Sequence, residues 1–139
     1  MRRLTGNFTR VGQARVGTRL ALGNAAVRIP YADEAVIDPS KLLDYLLSRT
    51  HPLGRHKARF FYALGYGPSN WTRLDRDLRF QHLPTDVARV AETRHGTVYE
   101  IRAILRGPSG ASAGLVSVWI VRHGERHPSL VTAYPGGPA

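Results

Sequence analysis

The chain has 139 residues, 42% of them hydrophobic, enough for the core of one domain with little room for a second. Lys and Arg number 20 against 10 Asp and Glu, a formal net charge of +10, so the expected partner is a polyanion, nucleic acid first. Cysteine is absent, which excludes disulfides and Cys-ligated zinc or iron–sulfur sites, and no run of about 18 apolar residues exists to cross a membrane as a helix.

In chain order, Met1 to Arg28 comes first. It holds Arg2, Arg3, Arg10, Arg15, Arg19 and Arg28, no acidic residue, and four glycines. This reads as a flexible basic arm or linker that adds non-specific affinity for nucleic acid, with a short strand around Ala14 to Leu20. No apolar stretch follows Arg2 and Arg3, so a secretory signal is not expected. Residues 29–139 then read as one domain. Asp38-Pro39 gives an N-cap followed by proline at the first helical position. Leu42, Leu43, Leu46 and Leu47 form one face of the helix behind it, which should end near Arg49-Thr50. His51-Pro52 breaks that helix. A second is expected from about Gly54 to Leu64, with Ala58, Phe61 and Leu64 inward. Gly65 and Gly67-Pro68 end it, and Ser69 is the expected cap of a third, with Trp71, Leu74 and Leu78 inward. Leu83 to Arg94 carries no clear pattern.

From Thr97 the periodicity changes. Tyr99, Ile101, Ala103 and Leu105 alternate with Glu100 and Arg102, as in a strand with one buried face. Gly107-Pro108-Ser109-Gly110 is a turn, Gly114 to Arg122 a second strand, and Leu130 to Tyr134 a third, with Leu130, Thr132 and Tyr134 expected on one face. Short turns between strands argue an antiparallel meander, with Thr132 on an interior or central strand. The fold class is therefore α+β, N-terminal helices packed on a C-terminal antiparallel sheet.

Two stretches combine chemistry with structure. His51 to Arg59 places two histidines, Arg55, Lys57 and Arg59 at the start of a helix, whose free N–H groups favour an anion. His51 or His56 can transfer a proton near neutral pH. Lys57 is one of only two lysines, Lys41 being the other, in a chain whose remaining cations are arginines. In the terminal strand, Thr132 offers a hydroxyl to a phosphate oxygen, with Tyr134 beside it. Arg102 reaches the same place if that sheet face is open. Trp119, in the middle strand, is either core or a base-stacking platform. The histidines lie in different elements, with no HExxH and no carboxylate cluster, so neither metal nor cofactor is expected.

The frame KLLDYLL…HPLGRHKARFF…LG followed by VWIV…HPSLVTAYPG resembles a poorly characterised family of small bacterial domains, found alone or at the C-termini of polymorphic toxins and phage-associated proteins. The resemblance spans Ile29 to Gly136. Its specific parts are HPxGxxKA at His51 to Ala58 and LVTAYP at Leu130 to Pro135. By fold-level analogy the layout is similar to the barnase–EndoU–colicin–RelE group of ribonucleases, although the paired histidines of the EndoU branch are missing. The resemblance implies a metal-independent ribonuclease of toxin type, cytoplasmic or delivered into a target cell. RNA and a small acidic antitoxin or immunity protein are its implied partners. On that reading His51, Lys57 and Thr132 are catalytic. Arg55, Arg59, Arg102, Trp119 and Tyr134 bind substrate, these last on their own chemistry. The alternative is a non-catalytic domain that binds nucleic acid or a partner protein.

Overall fold

A computed structural model describes residues 27–137, preceded by two short antiparallel strands, β1 (Phe8–Arg10) and β2 (Gly12–Gln13). The expected basic arm and the strand at Ala14 to Leu20 otherwise lie outside the described residues. Val27 and Arg28 already belong to the domain. The Val27 carbonyl accepts from Val87 N at 2.7 Å, and Arg28 Nε meets Asp86 at 2.8 Å.

Three helical segments precede a four-stranded sheet. Asp38 caps α1 (Pro39–Lys41) as expected, its carboxylate accepting from Ser40 N at 3.0 Å. That bond holds the carboxyl below its usual pKa. The segment then widens into a π-helical turn, Leu42–Leu46, closed by Leu47 N donating to Leu42 O at 2.8 Å. The turn buries Leu42, Leu46 and Leu47 completely and stops the helix short of Arg49-Thr50. α2 (Arg55–Ala63) follows, with Ala58, Phe61 and Leu64 buried as expected. Ser69 is not the cap of the third helix. It lies in a 3-10 turn, Pro68–Asn70, and Asn70 reaches backwards instead, accepting from Gly67 N and donating to Gly65 O. α3 (Trp71–Asp77) continues into a second π-helical stretch, Leu78–His82. Among the described residues no helix is long and apolar enough to cross a membrane.

The strands β3 (Val87–Thr93), β4 (Gly96–Arg106), β5 (Ser112–Arg122) and β6 (Ser129–Pro135) pair antiparallel in sequence order. β3, absent from the pattern expected of Leu83 to Arg94, is an edge strand whose Arg89 and Glu92 blunt its alternation, as edge strands often require. β6 is the other edge, so Thr132 is not on an interior strand. The far side of β6 is partly covered by Val36, which bridges Ser129 in parallel. The register of β6 also departs from strict alternation. Trp119 pairs Leu130 while Val118 pairs Thr132, leaving Val131 as an extra residue. This bulge flips the side-chain parity, so Leu130 and Ala133 are both buried and Thr132 does not follow Leu130 into the core.

The helices cover one sheet face. Leu42, Leu46, Phe61, Leu74 and Leu78 meet Ile101, Leu105, Leu115, Trp119 and Leu130. Each fully buried side chain of this size contributes about 1.5–3 kcal/mol. A polar chain crosses this core. Trp119 Nε1 donates to Ser117 Oγ (2.9 Å), Ser117 Oγ lies 2.8 Å from His82 Nδ1, and His82 Nε2 lies 3.2 Å from the Ala103 carbonyl. Every group is satisfied only if His82 is neutral with its proton on Nε2. Burial lowers its pKa to about 4. Ser117→Ala should strand both the indole N–H and Nδ1, lowering the unfolding free energy by roughly 1–3 kcal/mol in a denaturant titration.

Candidate functional site

Three separate elements bring His51, Lys57 and Thr132 together, and they meet on a residue the sequence reading passed over, Tyr45. Tyr45 sits on the flank of the first π-helical turn, half-buried. Lys57, two residues into α2, donates from Nζ to Tyr45 Oη at 2.9 Å. Thr132 Oγ1 on β6 lies 3.2 Å from the same oxygen. His51 packs edge-on against the Tyr45 ring, centroids 4.9 Å apart. Lys41, one helical turn before Tyr45, places its ammonium 5.9 Å from the ring centroid. Both lysines of the chain therefore flank one phenol.

Electrostatics follow from this geometry. Burial alone would raise the Tyr45 pKa. The hydrogen bonds from Lys57 and Thr132 and the charges of Lys57 and Lys41 outweigh it, and hold the phenol below its ordinary value. A tyrosine so placed gives up its proton more readily than a free one. While the phenol keeps its proton either hydroxyl of the Tyr45–Thr132 pair can donate, and once Tyr45 is ionised Thr132 must.

His51 has a defined tautomer. Its Nδ1 accepts from the backbone N–H of Leu53 and of Gly54, both at 3.0 Å. Backbone amides only donate, so Nδ1 carries no proton and Nε2 carries one. In this state His51 presents a donor, and its basic nitrogen is occupied in closing the turn that starts α2. The preceding turn is held by Ser48 Oγ, which accepts from His51 N at 3.1 Å.

Gly54 permits the assembly. A Cβ there would lie 1.9 Å from the Tyr45 carbonyl oxygen, so only glycine lets the start of α2 press on the backbone that carries Tyr45. Gly54→Ala should part the two segments, lower stability by roughly 1–3 kcal/mol, and separate Lys57 from Tyr45. A denaturation midpoint and the Lys57–Tyr45 contact in a crystal structure would measure both.

The remaining candidates divide. Arg102, Val116 and Tyr134 form one cross-strand row, and Glu100, Val118 and Thr132 the next, so Arg102 and Tyr134 share the Thr132 face of the sheet. Arg102 is near Glu100 (3.8 Å), which also pairs Arg89 (3.1 Å). Arg55 and Arg59 stand exposed on α2 one turn apart, Arg55 beside His56, and no contact brings either to Tyr45. Trp119 is fully buried with its N–H on Ser117, so it is core and offers no ring to a substrate. Tyr45 had one signal in the sequence, its i+4 spacing from one of the two lysines, but the leucine stripe around it read as a packing helix. Among the described residues no three His, Cys, Asp or Glu side chains gather as a metal site would require.

A family model described as a domain of unknown function (DUF6883) matches residues 28–137. Among solved structures, one chain of a contact-dependent growth inhibition toxin–immunity protein complex from Klebsiella pneumoniae 342 superposes with a TM-score of 0.60 at 19% identity. The match covers 76% of this chain and 97% of that one, a likeness of fold. No curated protein matches the sequence.

Proposed function

We propose that this chain, which belongs to the DUF6883 family, is a toxin domain that cleaves RNA without a metal. One observation carries the reading. Residues from a π-helical turn, the start of α2 and the last strand, up to 87 positions apart, gather on one hydroxyl beside two ammonium groups. A structural core does not need such a cluster at a half-exposed surface. A phosphodiester does.

RNA carries its own nucleophile, the ribose 2′-OH. Cleavage needs a group to take that proton, a donor for the departing 5′-oxygen, and fixed charge at the crowded phosphate. Tyr45, with its lowered pKa, suits the proton transfer assigned from the sequence to His51: as the phenolate it takes the 2′-OH proton, and the phenol so formed returns that proton to the departing 5′-oxygen. Lys57 stabilises the phosphate charge. His51 offers its Nε2–H to a phosphate oxygen, as a neutral donor, and Thr132 orients Tyr45. Arg102 and Tyr134, on the Thr132 face, extend the surface for the strand. The fold likeness to a chain of a toxin–immunity complex supports the toxin reading, and a small acidic immunity protein suits the +10 charge of this chain.

The occupied Nδ1 of His51 favours the second reading, a nucleic-acid-binding domain without catalysis. Incubating the purified chain with total RNA and EDTA separates the two. The ribonuclease reading expects discrete fragments, reduced at least tenfold in His51→Ala, as loss of a positioned donor to the phosphate requires. Binding without fragments at any pH between 6 and 9 favours the second reading.

A further inference from the structure

A second feature lies on the helical side of His51. The first π-helical turn and the loop at 65–70 enclose an open groove of about 680 Å³, lined by Leu43, Leu47, Arg49, Tyr62 and Ser69 among others. We propose that this groove is a nucleobase subsite, holding an unpaired base of the RNA strand whose phosphate lies at Tyr45 and Lys57; the proposal rests on the ribonuclease reading above.

The groove is built before any ligand arrives. Tyr62 Oη donates to the Leu47 carbonyl at 2.6 Å, which fixes the ring against the π-helical turn. The Arg49 guanidinium lies 4.6 Å from the Tyr62 ring centroid. The cation therefore sits over the ring while Arg49 itself is exposed. The opposite wall is set by Asn70, both of whose amide atoms are tied to the 65–67 backbone. A flat guanidinium held on a fixed aromatic ring is a platform for a planar base, because stacking of this kind tolerates any base and needs no metal or charge on the ligand.

Position and charge suit an RNA strand. Among the described residues no acidic side chain lines the groove, so an anionic strand meets no repulsion there. Ser48 lines the groove and its Oγ holds the backbone of His51, so the wall that bears Arg49 and the turn that bears His51 are one continuous piece of chain. A nucleotide strand laid across that turn puts a base on one side and a phosphate on the other. The groove's volume lies within the range of small-molecule sites, roughly 300–1,000 Å³.

Amide NMR of the intact chain tests this, with the four nucleoside 5′-monophosphates and ribose 5-phosphate as probes. All should shift amides at 51–57. Only the nucleotides should shift those at 47–49 and 65–70. Arg49→Ala should weaken the nucleotides about tenfold, the order expected for one stacked base, and leave ribose 5-phosphate unchanged. Arg49→Lys, which keeps the charge and loses the plane, should behave nearly as Arg49→Ala. Equal weakening of both probe types, full retention by Arg49→Lys, or groove amides that move no more with nucleotides than with ribose 5-phosphate would each overturn the subsite. In the last case shifts at 51–57 would leave the phosphate site standing. No shift with any probe would remove both.

Discussion

On the proposed ribonuclease reading, Lys57→Ala should reduce RNA cleavage roughly 10²–10³-fold, the loss typical of deleting a fixed charge-stabilising donor, while the domain stays folded. The magnitude follows from three duties of one ammonium. It donates to Tyr45 Oη at 2.9 Å, it lowers the pKa of that phenol, and in the proposed site it meets the phosphate charge. Its side chain is only half-buried, so truncation opens no cavity in the core, and the far-UV spectrum and melting temperature should change little. Lys57→Arg should recover only part of the activity, because the wider guanidinium cannot occupy the same point against Tyr45. Tyr45→Phe should lose a similar factor with the ring packing against His51 kept. Wild-type rates in either Lys57→Ala or Tyr45→Phe would show that the cluster is structural.

Acid should weaken the fold well before most carboxylates protonate. His82 is neutral in the folded state, with its pKa pushed down to about 4 by burial, against 6.5 in the unfolded chain. A depressed folded value means that the unfolded state takes the proton first as pH falls. The contribution is whole above pH 6.5, declines between 6.5 and 4, and is gone below that. The shift corresponds to about 3 kcal/mol, a large part of the stability of a domain this size. The physical cause is the hydrogen-bond chain Trp119–Ser117–His82–Ala103, which has a place for one proton on the ring and none for two. Urea midpoints measured from pH 7.5 to 5 should fall steadily in the wild type. In His82→Gln, less stable at neutral pH, they should fall much less. Parallel slopes in the two proteins would assign the acid sensitivity elsewhere.

Much of the architecture is legible in the chain because its signals are local. Asp38-Pro39 is a cap by residue type alone. The leucines at 42, 46 and 47 mark a buried face within two turns, and Tyr99 to Leu105 alternates cleanly because one side of β4 meets the helices. What escaped depends on information that local periodicity does not hold. β3 carries charges because it is an edge. The extra residue at Val131 flips the parity of β6, and no residue type there announces a bulge. The same limit applies to the site. His51, Lys57 and Thr132 stood out as polar residues in apolar elements, and the structure brings them together. Their meeting point, Tyr45, is set by contacts 12 and 87 residues away, and only the packing of α2 over β6 reveals it. Trp119 was ambiguous for a related reason: an indole in a strand suits both a core and a stacking surface, and the buried partner Ser117 decides between them.

The ends of the RNA fragments formed in EDTA test the proposed chemistry most directly. Attack by the 2′-OH leaves a 2′,3′-cyclic phosphate, or the 3′-phosphate it opens to, on the upstream fragment and a 5′-hydroxyl on the downstream one. An oligonucleotide carrying a single 2′-deoxy substitution at the cut nucleotide should then resist cleavage at that position alone. Fragments with a 3′-hydroxyl and a 5′-phosphate, or cutting that persists at the 2′-deoxy position, would contradict a site in which Tyr45, Lys57, His51 and Thr132 act on the RNA's own nucleophile.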